Sequence, residues 1–110
     1  MRMWLIEPYL LCNKHLLGEH VEMHMFAGSI RKRISLSGYI EKGLVDLRVI
    51  NSRHDALAAE MVKRGMSHNS PLAEVPIIPL GTVDKNKSFD ELCSRCTECR
   101  MRIEGAQKIP

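Results

Sequence analysis

Apolar residues recur at helical intervals in three stretches of this chain and lose that rhythm between them. Pro8 suits the first turn of a helix, where the amide hydrogen it lacks would have no partner, and the pattern predicts a helix from Pro8 to about Phe26. Along it Leu10, Leu17, Val21 and Met25 form an apolar stripe, with Cys12, His15, Glu19 and Glu22 on another side at spacings of three and four. Phe26 to Arg33 reads as a short second helix interrupted at Gly28, and Ser35-Leu36-Ser37-Gly38 breaks the pattern. Leu44 to Ile50 has strand-like content, but a lone strand has nothing to pair with, so Tyr39 to Ile50 reads as loop or short helix. Asn51 or Ser52 caps the next helix, which runs to Arg64 and stops at Gly65. Residues 66 to 87 carry Pro71, Pro76, Pro79 and Gly81 and form a long irregular crossing, packed down by Val75, Ile77, Ile78 and Leu80. Ser88-Phe89-Asp90-Glu91 has the form of a capping box opening a last helix, with Phe89, Leu92, Cys93, Cys96 and Ile103 on one face. The expected fold is all-α: a single compact domain of about three main helices, with the apolar amino terminus around Trp4, Leu5 and Ile6 inserted between them.

A length of 110 residues suffices for one domain with a modest core. The formal charge of +3 permits a polyanionic partner without requiring one. The first residues lack the apolar core of a signal peptide and no stretch approaches a membrane span, so a cytoplasmic location with no membrane partner is expected, and separately a monomer. Without a secretory signal, Cys12, Cys93, Cys96 and Cys99 are read as free thiols rather than disulfides. On a continuous helix, successive three-residue steps drift by about 60°, so Cys93, Cys96 and Cys99 do not converge on one ion unless Cys12 or a histidine is recruited. His20 and His24 stand four apart, yet the sequence fixes no third ligand for them. No metal and no organic cofactor is therefore expected.

The candidate chemistry is the run from His15 to Phe26 lying close behind an amino terminus that reads Met1-Arg2-Met3-Trp4. An α-amine titrates near ~8 and a lysine near ~10.4, so at neutral pH only the former is appreciably unprotonated and nucleophilic. A terminal amine held against a carboxylate such as Glu22 is equipped for imine chemistry.

The segment Met1 to Phe26, with Arg2, His15, Leu16, Glu19 and Glu22 in register, resembles the pyrimidine-dimer DNA glycosylases, the phage endonuclease V family. Arg53-His54-Asp55 through Glu60 and Lys63-Arg64-Gly65 is similar to that family's next long helix. The resemblance implies a DNA repair glycosylase with AP-lyase activity on damaged double-stranded DNA. Met1 would be the nucleophile, left in place by the bulk of Arg2, and Glu22 the catalytic carboxylate, with Glu19 orienting or structural. Arg2, His15 and the basic cluster Arg31-Lys32-Arg33 would contact DNA; otherwise the basic surface lies around Lys63-Arg64 or Arg95, Arg100 and Arg102. Two features depart from the family: Val21 and Met25 stand where arginines flank its glutamate, and the tail Glu104 to Pro110 lacks aromatics. A different lesion or an abasic site is thus as compatible as a pyrimidine dimer. The rival readings are a non-catalytic nucleic-acid or protein-binding module and a small metal-binding regulator built on the cysteine run.

Overall fold

The computed structural model describes residues 1–107; residues 108–110, the end of the aromatic-poor tail, lie outside the described residues. It is all-α. A 3₁₀ turn at Pro8–Leu10 precedes α1 (Asn13–Arg31), α2 (Ser37–Glu41), α3 (Ile50–Lys63), α4 (Lys85–Arg95) and α5 (Thr97–Gln107), and no strand occurs among the described residues. No helix among them is long and apolar enough to cross a membrane.

The first helix is divided differently from the sequence pattern. Pro8 opens only the 3₁₀ turn; Leu11 and Cys12 are extended, and Cys12 caps α1 by accepting the His15 amide on its sulfur. From there α1 runs unbroken through Gly28, where a side chain would meet nothing, so the interruption expected there does not occur. The buried face is Leu16, Glu19, His20, Met23, Phe26 and Ala27, whereas Leu17, Val21 and Met25 of the expected stripe are exposed. Two polar residues occupy the true core stripe, so hydrophobicity alone selects the neighbouring face.

Packing of α1 on α3 forms the body of the molecule. α3 buries Ile50, Arg53, His54, Leu57, Ala58 and Met61, and it ends where Gly65, at φ 84°, turns the chain after the Arg64 cap. Asn51, expected as a cap, lies inside the helix and instead grips Val75, donating to its carbonyl (2.7 Å) and accepting its amide (3.0 Å). The crossing between α3 and α4 is irregular as expected, but of its apolar residues Val75 is buried and Ile78 half-buried while Ile77 and Leu80 are exposed. Backbone pairing of the Leu47 amide with the Leu80 carbonyl (2.9 Å) holds it instead. Gly81, at φ 91°, is required there, since a Cβ would stand 2.2 Å from the Val45 carbonyl oxygen.

The last helix is two. Asp84, not Ser88, caps α4, accepting the Asn86 and Lys87 amides, and the chain becomes extended at Cys96 before α5 begins. Phe89, Leu92, Cys93, Cys96 and Ile103 still share the core-facing side.

Candidate active site

The amino terminus threads into the helical body. The Met3 amide donates to the Leu44 carbonyl (2.7 Å), and Met3, Trp4 and Ile6 are buried. Between Trp4 and Ile6, Leu5 takes a left-handed backbone (φ 56°), which costs about 1–3 kcal/mol and lets both neighbours point inward. The segment is anchored by Arg53, whose guanidinium donates to the Ile6 carbonyl (2.7 Å) while forking onto Glu19 through Nε–Oε2 (2.6 Å) and Nη2–Oε1 (2.9 Å). Glu19 and Arg53 are both buried, so the expectation of a structural carboxylate at Glu19 has a defined partner.

This threading brings Met1 and Arg2 to an open cleft of about 340 Å³ that Trp4, Lys14, His15, Gly18, Glu19, Glu22 and Arg95 also line. Burial pushes the Glu22 carboxyl above the usual carboxylate range, opposed by the Arg2 backbone N–H and by the positive terminal amine. Met1, Arg2, His15 and Glu22, separated by up to 21 positions in the chain, thus meet at one place.

The wall on the α4 side is an ionic ladder. The Arg2 guanidinium lies 3.8 Å from the Trp4 ring centre and pairs with Glu91, which also pairs with Arg95 one helical turn on. These cations hold the Glu91 carboxyl below its ordinary range, Arg95 contributing most. The His15 and Trp4 rings stand nearly perpendicular, at 78°, with centroids 5.7 Å apart. Cations therefore surround the cleft from α1 (Lys14), the terminus (Arg2) and α4 (Arg95).

Arg31, Lys32 and Arg33 do not line the cleft. They end α1 nine residues after Glu22, about 13 Å along the axis. Arg31 donates to the Ala73 carbonyl, and all three are exposed. Of the other basic positions, Arg64 is bound within the fold: it pairs with Glu60 (2.8 Å) and donates to the carbonyls of Leu11 (2.7 Å) and Pro8 (3.2 Å).

Two further clusters join side chains that the sequence left separate. The break between α4 and α5 folds Cys96 and Cys99 back toward Cys12 and His15, so the continuous-helix geometry that kept the cysteines apart does not hold. Cys93, inside α4, is not in this group. His20 receives His54 and His68 rather than His24 as its nearest partners, with Nε2–Nε2 distances of 3.2 and 3.0 Å. Burial, reinforced by the neighbouring rings, lowers the His20 pKa to about 4. The signal for Arg53 and His54 was present in the α3 pattern: both stand on its apolar stripe, where a charged side chain needs a buried partner.

A family model described as pyrimidine dimer DNA glycosylase matches residues 1–74, a span that contains α1, α3 and every cleft residue except Arg95. No curated protein and no solved structure matches the chain.

Proposed function

The chain belongs to the pyrimidine dimer DNA glycosylase family, with a DNA glycosylase-type repair function, and from that premise we propose that it cleaves damaged duplex DNA through an imine formed by the α-amine of Met1. The observation that carries this reading is the shared cleft: Met1 and Glu22 line it together, with Arg2, Lys14 and Arg95 about them. After extrusion of a base from the stack, the amine attacks the deoxyribose C1′ and the glycosidic bond breaks toward the departing base. Loss of the amine's protons and opening of the sugar ring leave an imine between Met1 and C1′. Glu22, whose basicity burial raises, manages the protons: it accepts the C2′ proton, and the resulting elimination expels the 3′ phosphate. Hydrolysis of the imine then restores the amine. A methionine terminus offers no hydroxyl, so the backbone amine acts alone.

In this reading the cleft cations contact the flanking phosphates; of Arg2, Lys14 and Arg95, exposed Lys14 is the one without an ion-pair partner among the described residues. The substrate is a pyrimidine dimer, a different base lesion, or an abasic site, where no base departs and the amine condenses with the sugar aldehyde with loss of water. Exposed Val21 and Met25 present an apolar surface on α1 where the family carries arginines. Borohydride treatment of the protein with abasic and dimer-bearing duplexes tests the reading: a covalent adduct that disappears when the terminus is acetylated supports it. Salt-sensitive retention without any adduct would identify a binding module instead.

A further inference from the structure

We propose that Cys12, His15, Cys96 and Cys99 bind a structural zinc ion that ties the α4–α5 hairpin to the start of α1. One atom from each residue, three Sγ and the His15 ring nitrogen, lies within 4.8 Å of all the others. Zinc takes Zn–S bonds of about 2.3 Å and Zn–N bonds of about 2.0–2.1 Å, and tetrahedral placement then sets two sulfurs about 3.8 Å apart and sulfur from nitrogen about 3.5 Å. The separations fit: Cys12 Sγ–Cys96 Sγ is 3.8 Å, Cys99 Sγ–His15 Nδ1 is 3.5 Å and Cys12 Sγ–His15 Nδ1 is 3.2 Å. No disulfide joins them: the Cys12 and Cys96 sulfurs are not bonded and all four cysteines are free.

The backbone around the cluster supplies hydrogen-bond donors to sulfur. Each of the three sulfurs accepts a backbone N–H: Cys12 Sγ from His15 (3.4 Å), Cys96 Sγ from Cys99 (3.4 Å) and Cys99 Sγ from Cys12 (3.3 Å). Such donors stabilise negative sulfur and orient ligands around a metal. Trp4 packs its ring against His15. Binding would expel three thiol protons, leaving a ZnS₃N centre of net charge −1. Two ligands come from the segment matched by the family model and two from beyond residue 74, so the ion would link the family portion to the hairpin whose Arg95 lines the cleft and whose Glu91 pairs with Arg2. It follows the turn at Cys96, where α4 yields to α5 and the two sulfurs can converge.

The test is metal analysis of the full chain produced in zinc-supplemented medium and freed of loose metal by gel filtration. Wild type should carry zinc, and the double variant Cys96→Ser/Cys99→Ser should carry one equivalent less per chain. Because that variant risks misfolding, His15→Cys and Cys93→Ser serve beside it, and both should keep the full complement. Cobalt in place of zinc should give the visible absorption of a tetrahedral thiolate site, altered by His15→Cys and unaltered by Cys93→Ser. Iodoacetamide should modify Cys93 first, and the other three only after a chelator is added. Metal-free wild type, zinc undiminished in the double variant, or a Cys12–Cys96 disulfide recovered by mass spectrometry would each overturn the assignment.

Discussion

Replacing Arg53 by alanine removes the partner of a carboxylate that is only 1% exposed, and its cost follows from what remains. The guanidinium makes two hydrogen bonds to Glu19 and one to the Ile6 carbonyl. Its loss leaves a buried charge without compensation, which costs about 3–5 kcal/mol. Against a typical domain stability of roughly 5–15 kcal/mol that is a large fraction, and at roughly 4 °C per kcal/mol it lowers Tm by about 12–20 °C. The double variant Glu19→Leu/Arg53→Met removes both charges and leaves only the Ile6 carbonyl unpaired, about 1 kcal/mol. Urea denaturation followed by circular dichroism on Glu19→Leu, Arg53→Met and the double variant should therefore show coupling of at least about 2 kcal/mol. The same fork tethers the threaded terminus, so Arg53→Ala should also lower the yield of trapped DNA adduct under conditions where the variant is folded. A single-variant cost below about 1 kcal/mol, or additive effects in the double, would refute the view that this pair fixes the amino terminus.

Glu22→Gln should bind DNA normally and cleave it on the order of 10²–10⁴-fold more slowly in single-turnover assays, since the amide cannot shuttle protons. In the fold, burial raises the Glu22 pKa above its unfolded value, so the ionised form costs stability once pH passes the folded-state pKa and the neutral form costs none below the unfolded one. Glu22→Gln should accordingly be more stable than wild type at neutral pH, with the margin vanishing as pH falls through the carboxylate range in parallel melting curves. Lys14→Ala should reduce the slope of log affinity against log salt by about 0.9, one phosphate contact, and neutralising Arg31, Lys32 and Arg33 together by up to about 1.8, since Arg31 is engaged with Ala73; an unchanged slope would mean these charges only solvate the surface. Gly81→Ala should cost at least about 2 kcal/mol by denaturation, because its left-handed backbone and the Val45 carbonyl both exclude a side chain.

The helices themselves were legible where apolar spacing and chain breakers agreed: α3 with its terminal Gly65, and the irregular proline-bearing crossing. Legibility failed where polar residues lie in the core. Glu19 and His20 occupy the buried stripe of α1, so an apolar pattern pointed to Leu17, Val21 and Met25, which face outward. The register of Met1 and Glu22 was legible from the family resemblance, and their shared cleft is consistent with it. Arg95 reaches that cleft through an ionic ladder in which Glu91 joins it to Arg2, for which no local spacing gives a signal. The cysteine cluster was hidden for a related reason. Its convergence depends on the extended residue Cys96 between two helices, and a continuous helical pattern through Leu92, Cys93 and Cys96 masks that break.

The central claim is that the nucleophile is the α-amine of Met1, and Lys14 is the other amine lining the cleft. The most direct test is borohydride trapping on an abasic duplex, followed by nuclease and protease digestion and mass spectrometry of the adducted peptide. The account predicts that the sugar remnant lies on the Met1 nitrogen; a remnant on Lys14, or no adduct at all from protein that still cleaves DNA, would contradict it.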